Sequence, residues 1–310
     1  MKKRFLSGIL LVGILVSCEK SQTVNEEEFT VAKAKASLPS ITTMPELEFD
    51  SEVVLFSAEY ITTGENGAVG NTIFFGEFDK GNKQLESDFV PGDPRLGGFS
   101  NIFYAFDEAE ATATNQGAGL SPAQTEAAID RAMATWDGVN CSDLGITKID
   151  GVTGIGQVQE FFQDPANFSG FGIIELPVIL HSGILPGSFF DQVAPGGSEF
   201  ILGVTYTLVF TDSDIDNNGK SDVAIKEVYY NDNFNWNEGT TYDLETVALH
   251  ESGHALSQAH FGKAFLTESN DKVHFAPRAV MNASYSGVQT EIKKTDKAGH
   301  CSNWSQWPNN

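Results

Sequence analysis

Three histidines and a glutamate near the C-terminal end of the chain have the spacing of a metal site. Residues 250–260 read HESGHALSQAH. On a helix, His250 and His254 lie one turn apart on one face, where two imidazoles can hold one Zn²⁺ at about 2.0–2.1 Å. Glu251 points roughly 100° away and can act as general base on a zinc-activated water. A turn after the helix would bring His260 back as the third ligand and leave a fourth position open, as catalytic zinc requires.

A helix from about residue 243 to 256 must position this site. Leu244, Val247, Ala248 and Ala255 fall on a neighbouring face of that helix and can bury it. A closed, structural zinc site is the alternative to a catalytic one. Three histidines with an adjacent glutamate favour the catalytic arrangement, because structural sites complete all four positions with protein ligands.

The sequence of the remaining C-terminal two thirds of the chain predicts a mixed α/β layer protein. Ser121, Pro122 and Gln124 predict the capped start of a long amphipathic helix. A last helix is predicted from about residue 295. Five strands are predicted at residues 102–106, 145–149, 177–182, 201–210 and 224–231. One long helix, five strands and then the zinc helix place the site after the last strand of an α/β layer protein.

The histidine segment resembles the metzincin signature HExxHxxGxxH, and its surroundings resemble matrixins, the matrix-metalloproteinase-like branch. Residues 242–249 (YDLETVAL) resemble the matrixin lead-in, and residues 279–285 (AVMNASY) resemble the Met-turn. The resemblance implies an α+β catalytic domain with a five-stranded mixed twisted sheet, a long helix, an active-site helix and a C-terminal helix. It also implies that Met281 packs beneath the zinc, that Tyr285 walls the substrate pocket, and that strand 201–210 is an exposed edge beside the cleft.

Two departures from the family pattern bear on mechanism. Ser257 stands where the family has glycine, so a left-handed bend there would cost about 1 kcal/mol or more. The chain also has no cysteine between residues 19 and 140, which excludes latency through a cysteine thiolate. Some metzincins use an aspartate instead, and residues 89–93 (FVPGD) faintly resemble such a segment. A plain Pro-Gly-Asp-Pro turn is the favoured interpretation of these residues.

An acidic loop provides a second metal-like pattern. Residues 212–222 read DSDIDNNGKSD, and oxygen side chains alternating around a glycine turn suit a hard ion such as Ca²⁺. A full EF-hand is not predicted, because Ile225 stands at the twelfth position from Asp214. The alternative is a solvated acidic turn. The predicted calcium ligands are Asp212, Asp214, Asp216, Asn218 and Asp222.

The N-terminal end is an export signal. Residues 2–4 are basic and residues 5–16 are an apolar run too short for a permanent membrane helix. The run ends at Ser17-Cys18, which resembles the bacterial lipobox and implies lipidation of Cys18; an ordinary cleaved signal is the alternative. We therefore predict a signal peptide over residues 1–17, a tether over 18–45, an extension of unassigned role over 46–95 and the catalytic domain over 96–310.

Charge and cysteine usage restrict the partners. The formal net charge is −23, which argues against binding to nucleic acid because phosphate backbones would repel the protein. With Cys18 lipidated, Cys141 and Cys301 remain, and two cysteines in an exported protein more often pair than stay free. His181, His274 and His300 lack ligand spacing and are predicted to be ordinary polar or core residues.

These patterns predict a zinc-dependent endopeptidase acting on protein or peptide substrates. It would be attached by lipid alone to the bacterial cell envelope, with the outer membrane as the expected site, facing the periplasm or the cell exterior. A calcium-dependent binding or adhesion lipoprotein on a peptidase scaffold is the main alternative, and the intact Glu251 argues against it. Zinc-dependent hydrolysis of a non-peptide substrate also remains open.

Overall fold

The structure is a computed structural model. It describes residues 52–75, 85–107, 119–153, 156–174, 176, 178–212, 214–267 and 270–309, without the side chains of residues 270 and 271. The predicted signal peptide, Cys18 and the predicted tether lie outside the described residues. Within the described part, no helix is long and apolar enough to cross a membrane.

A mixed sheet forms the centre of the protein. Seven of its strands follow the order β2-β1-β7-β8-β6-β4-β5, and β3 pairs with β8 beside this path. Strands β2, β1, β7 and β8 are antiparallel neighbours, whereas β8, β6, β4 and β5 run parallel. The strands are β1 (Val53–Thr62), β2 (Thr72–Phe74), β3 (Ser87–Asp88), β4 (Ile102–Phe106), β5 (Ile146–Lys148), β6 (Ile179–Leu185), β7 (Ile201–Phe210) and β8 (Ser221–Asn231).

The expectation of a five-stranded sheet is wrong, because the described residues form an eight-stranded one. The five predicted strands are all present as β4 to β8. The other three come from the segment before residue 96. Polar residues such as Ser57 and Glu59 interrupt the apolar run of β1 although they are fully buried, so the alternation of apolar and polar residues does not show its full length.

The expectation that strand 201–210 is an exposed edge is also wrong. β7 lies between β1 and β8, and β1 pairs with it from Val53↔Phe210 to Thr62↔Ile201. An open edge has a row of unpaired N–H and C=O groups, which a neighbouring segment of the same chain can pair. Here β1 pairs them, and β7 is buried along its whole length.

The described part of the chain contains five α-helices: α1 (Pro122–Asp137), α2 (Gln157–Gln163), α3 (Gly187–Val193), α4 (Leu244–Ala255) and α5 (Lys294–Trp304). The three that were predicted, α1, α4 and α5, are confirmed. Helix α1 begins with a complete capping box between Ser121 and Gln124. It packs on α4, where the Trp136 indole N–H donates to the Leu249 carbonyl at 2.9 Å.

Two further connections fix the C-terminal part. A hairpin of β9 (Lys263–Thr267) and β10 (Asn270–Ala276) follows α4 and packs on residues 65–67. Cys141, just after α1, and Cys301, in α5, form a disulfide. The last helix is therefore covalently joined to the end of α1, which packs on α4.

Candidate metal centre

The three predicted histidine ligands converge on one point. The Nε2 atoms of His250 and His254 are 3.0 Å apart, those of His254 and His260 3.1 Å, and those of His250 and His260 3.2 Å. His250 and His254 are fully buried, and His260 is partly exposed. Three nitrogens so spaced can all lie about 2 Å from one ion, which is the zinc–nitrogen distance found in proteins.

Backbone carbonyls fix the protonation of two of these rings. His250 Nδ1 lies 2.7 Å from the Val280 carbonyl, and His254 Nδ1 lies 2.6 Å from the Gln258 carbonyl. A carbonyl only accepts, so each Nδ1 carries the proton and each Nε2 presents a lone pair to the centre. Burial lowers the pKa of His250 to about 4 and that of His254 further below its ordinary value, which keeps both rings neutral. Facing lone pairs repel unless a cation lies between them, so this donor set fits zinc.

The bend that brings His260 back requires a left-handed residue. Ser257 has φ of 60°. Its N–H donates to the His254 carbonyl, and the Gln258 N–H donates to the Gly253 carbonyl at 3.0 Å, which is the Schellman pattern of a helix end. The turn therefore both ends α4 and delivers the Gln258 carbonyl to His254. Serine does this in place of glycine, with the strain of a Cβ at positive φ.

Met281 packs against the backbone of helix α4 between two of the histidines. It is fully buried, and a Cβ added at Gly253 would lie 2.2 Å from its sulfur. Glycine between the two histidines of α4 therefore lets the methionine pack against the helix backbone. The Met281 N–H donates to the buried carboxylate of Asp296 in α5 at 3.2 Å, which ties the Met-turn to the last helix.

Tyr285 links the segment after Met281 to the start of helix α4. Its hydroxyl accepts from the N–H of Asp243, the N-cap of α4, at 3.2 Å. Its own N–H donates to the Thr62 carbonyl at the end of β1 at 2.8 Å. The tyrosine is thus placed beside the site, in contact with β1.

Glu251 faces the sheet from helix α4. Its Oε2 accepts from the Thr205 hydroxyl of β7 at 2.6 Å, and its Oε1 accepts from the Ile61 N–H of β1 at 3.3 Å. Burial raises the pKa of the Glu251 carboxyl well above its ordinary value, against the opposing effect of these two hydrogen bonds. A carboxyl whose protonated form is favoured in this way is suited to take up a proton.

The acidic loop between β7 and β8 brings three of its five predicted residues together. Oxygens of Asp214, Asp216 and Asp222 lie within 4.8 Å of one another. Asp222 is 1% exposed, and its Oδ1 has no hydrogen-bond partner within the described part of the chain. Burial, with the neighbouring Asp214 carboxyl, raises the pKa of Asp216 to about 6, whereas the Gly219 N–H lowers the pKa of Asp214.

The other two predicted calcium ligands are turned to neighbours. Asp212 pairs with Arg95 at 2.7 Å, and the Asn218 amide donates to Asp216 and to Asp88. Asp88, on β3, and Arg95, in the short helical turn Pro94–Leu96, were not indicated by the sequence, because each reaches the loop from more than a hundred residues away. Arg95 also pairs with Asp93 and Asp222, so Asp93 belongs to this ion-pair network.

The remaining histidines occupy ordinary positions. His181 is buried with Nδ1 2.8 Å from the Tyr230 hydroxyl, His300 stacks on Trp136, and His274 stacks on Phe265. The sequence did not indicate five residues around the metal centre, because they act through backbone atoms or from distant elements. They are Thr205, Val280, Gln258, Gly253 and Asp296.

Comparison with known sequences adds no family. The chain matches no protein-family model, and a search of the curated proteins finds no similar sequence.

Proposed function

We propose that the chain is a zinc-dependent endopeptidase of the metzincin type. The observation that carries this proposal is the convergence of three Nε2 lone pairs, two of them fixed by Nδ1–H donation to backbone carbonyls, beside the buried carboxyl of Glu251. We assign β4 to β8 with α1, α4 and α5 to the catalytic unit that the matrixin resemblance implies. His250, His254 and His260 would hold the ion.

Zinc, when bound, supplies Lewis acidity that lowers the pKa of water and polarises a peptide carbonyl. Glu251 accepts the proton of the attacking water at its carboxylate and delivers it to the leaving amine. Thr205 donates to Oε2 and holds the carboxylate in one orientation, which leaves Oε1 as the atom available for proton transfer once Ile61 is displaced from it. Met281 packs beneath the centre and keeps the zinc helix in register with the Met-turn.

We also propose a calcium ion in the acidic loop. Asp214, Asp216 and Asp222 would be its carboxylate ligands, since they lie together and one buried Asp222 oxygen lacks a partner within the described chain. Oxygen donors of this kind suit Ca²⁺. The ion would brace the loop that joins β7, beside Glu251, to β8.

The place of action follows from the N-terminal sequence. We propose a lipoprotein of the bacterial cell envelope, attached through Cys18, with protein or peptide substrates. Mass spectrometry of protein purified from membranes would detect the lipid on Cys18, and a Cys18→Ser protein should appear in the soluble fraction.

The deciding experiment separates metal binding from chemistry. We expect Glu251→Gln to keep one zinc per chain and a native circular-dichroism spectrum but to lose casein or gelatin hydrolysis by several orders of magnitude. Gln124→Glu, a similar change in the exposed cap of α1, serves as the matched control and should keep activity. If the wild-type and Glu251→Gln proteins cleave a broad peptide library equally poorly, and still do so when Ile61→Pro is added to both to free Glu251 Oε1, the calcium-dependent binding protein becomes the better interpretation.

A further inference from the structure

The end of β1 lies between two parts of the chain beside the metal centre, which we describe as the walls of a groove that β1 fills. One wall is β7, and the other is residues 283–285, which follow Met281. Glu251 of α4 contacts β1 between them. An extended peptide can bind such a groove by adding a strand to the sheet. In this protein β1 takes that place, since it pairs antiparallel with β7 over its whole length.

The end of β1 also contacts the second wall. The Tyr285 N–H donates to the Thr62 carbonyl at 2.8 Å, and Thr62 pairs with Ser284 in the parallel direction. The loop that follows continues the contact, because the Gly70 N–H donates to the Ala283 carbonyl at 2.6 Å. β1 and its loop are therefore bound through main-chain groups to both walls at once, which is how an extended peptide is held.

The contact with Glu251 places this segment at the reacting group. The Ile61 N–H donates to Glu251 Oε1, and the Ile61 side chain is 2% exposed. Glu251 Oε2 is held by Thr205, so β1 occupies the one carboxylate oxygen that Thr205 leaves. A substrate cannot place its own peptide group against Oε1 while β1 is bound.

We propose that residues 53–70 occupy the groove in which an extended substrate would bind, and that the site opens only when this segment is displaced. The inference rests on the proposed peptidase function, because it assigns the groove to peptide substrates. A structural role for β1 as a permanent strand makes the opposite prediction, since loosening β1 would then lower activity.

Two variants loosen the segment where it meets the groove. Ile61→Pro removes the N–H that contacts Glu251. Gly70→Ala adds a Cβ that would lie 2.0 Å from the Tyr60 carbonyl oxygen and 2.8 Å from that of Ala283, so the loop must shift. Val54→Pro is the matched control, because it weakens the opposite, partly exposed end of β1. Thr62→Val is a milder, isosteric variant that removes the hydroxyl contacts to Ala68 and Ser284.

The readouts are hydrolysis of an unstructured peptide by the zinc-loaded mature chain and hydrogen exchange of the same proteins. We expect Ile61→Pro and Gly70→Ala to cleave at least tenfold faster than the wild type and Val54→Pro, and Thr62→Val several-fold faster. Exchange should accelerate in β1 and β7 while α4 stays protected. Two results would overturn the inference and leave the peptidase function standing. The first is wild-type activity equal to that of the variants. The second is loss of activity in variants whose helix α4 stays protected from exchange. If Ile61→Pro and Gly70→Ala lose exchange protection in α4, the activity and exchange of Thr62→Val test the inference by the same criteria.

A binding assay keeps the two proposals separable. A fluorescent peptide with the sequence of residues 52–63 should bind Ile61→Pro and not the wild type, and Thr62→Val should bind it in between. If no protein cleaves any peptide but this pattern is found, the peptidase function fails and the occupied groove stands. Equal binding by all proteins, or binding by none, overturns the inference.

Discussion

The two clusters of metal-ligand side chains in this protein are built in opposite ways. The histidine centre uses imidazole nitrogens, and two of its rings, those of His250 and His254, are fully buried and oriented by the backbone carbonyls of Val280 and Gln258. The acidic loop uses carboxylates from one stretch of eleven residues, 212–222, and most of them are at least partly exposed. Backbone N–H groups of the loop itself, such as that of Gly219, orient its carboxylates.

The difference also extends to charge. Arg95 and Lys220 pair with the carboxylates around the acidic loop, whereas the rings of His250 and His254 are hydrogen-bonded to neutral backbone carbonyls. A neutral donor set has no charge repulsion to be relieved by side chains, so its ion-binding strength depends on preorganised geometry. A carboxylate cluster can be partly neutralised by the protein's own cations, so its dependence on an ion is weaker. We therefore expect metal removal to affect the two regions very unequally.

The largest expected effect is on zinc. His254→Ala leaves two nitrogen ligands, which make a poor site, so we expect the purified protein to lose most of its one zinc per chain. Elemental analysis measures this. Asp214→Asn combined with Asp216→Asn is the control and should retain zinc. Stoichiometric zinc in His254→Ala would show that the ligand assignment is wrong.

The next effect concerns the disulfide, which stabilises the histidine centre and not the acidic loop. Helix α5 carries Trp304 and Asn303, whose side chains donate to the carbonyls of Leu256 and Ser257 in the bend before His260. Joining Cys141 to Cys301 closes a loop across 160 positions. We expect Cys301→Ser to lower the free energy of unfolding by about 3–5 kcal/mol and to weaken zinc binding. Denaturant titration and metal competition measure these effects.

Calcium binding to the acidic loop should be unchanged in Cys301→Ser, which is the internal control for the preceding comparison. Thiol counting on the unreduced, denatured wild-type protein should find neither Cys141 nor Cys301 free. Detection of two free thiols in that protein would show that the disulfide does not form.

A moderate effect is expected from calcium, and it should depend on pH. The pKa of Asp216 is raised from 3.8 to about 6 in the folded protein. The folded state then holds a proton that the unfolded state has lost, so without calcium stability falls as pH rises from about 4 to 6. Calcium binds the ionised loop, so its stabilisation, about 2.7 kcal/mol at 100 times the Kd, should be larger at pH 7 than at pH 5.

Thermal melting of protein first stripped of divalent ions, with and without millimolar calcium, measures this effect. It should persist in His254→Ala and disappear in the Asp214→Asn, Asp216→Asn protein. A melting temperature that does not respond to calcium at pH 7 would show that the loop is a solvated acidic turn.

The smallest effect tests the strained bend of the metal centre. Ser257 has a positive φ, and its buried hydroxyl has no hydrogen-bond partner among the described residues. We expect Ser257→Gly to raise the free energy of unfolding by about 1 kcal/mol, since glycine adopts this conformation without a Cβ clash. Ser252→Gly, inside the helical part of α4, is the control and should lower stability by a similar amount. A destabilised Ser257→Gly would show that the bend is not strained.

The sequence alone determined the local features of this protein. The spacing of His250 and His254 required only a helix, and Asp243 and Ser121 mark helix starts through side chains that cap the first turn. The bend at Ser257 and the acidic loop are likewise made within a few consecutive residues. Hydrogen bonds and periodicities over one to three helical turns depend only on residues that are close in sequence, so these predictions needed no knowledge of the fold.

Only the tertiary structure decided what the distant parts of the chain contribute. Val280 and Thr205 act on the histidine centre across many residues, and the carbonyl of Val280 belongs to the backbone, which carries no residue-type signal. The same holds for β1. Because Ser57 and Glu59 are polar but buried, the sequence pattern does not show the length of β1. Its pairing with β7 depends on which segment of the chain pairs with the open edge of that strand. Strand partners are chosen by packing and main-chain pairing over the whole sheet, so no local pattern could place β1 against Glu251.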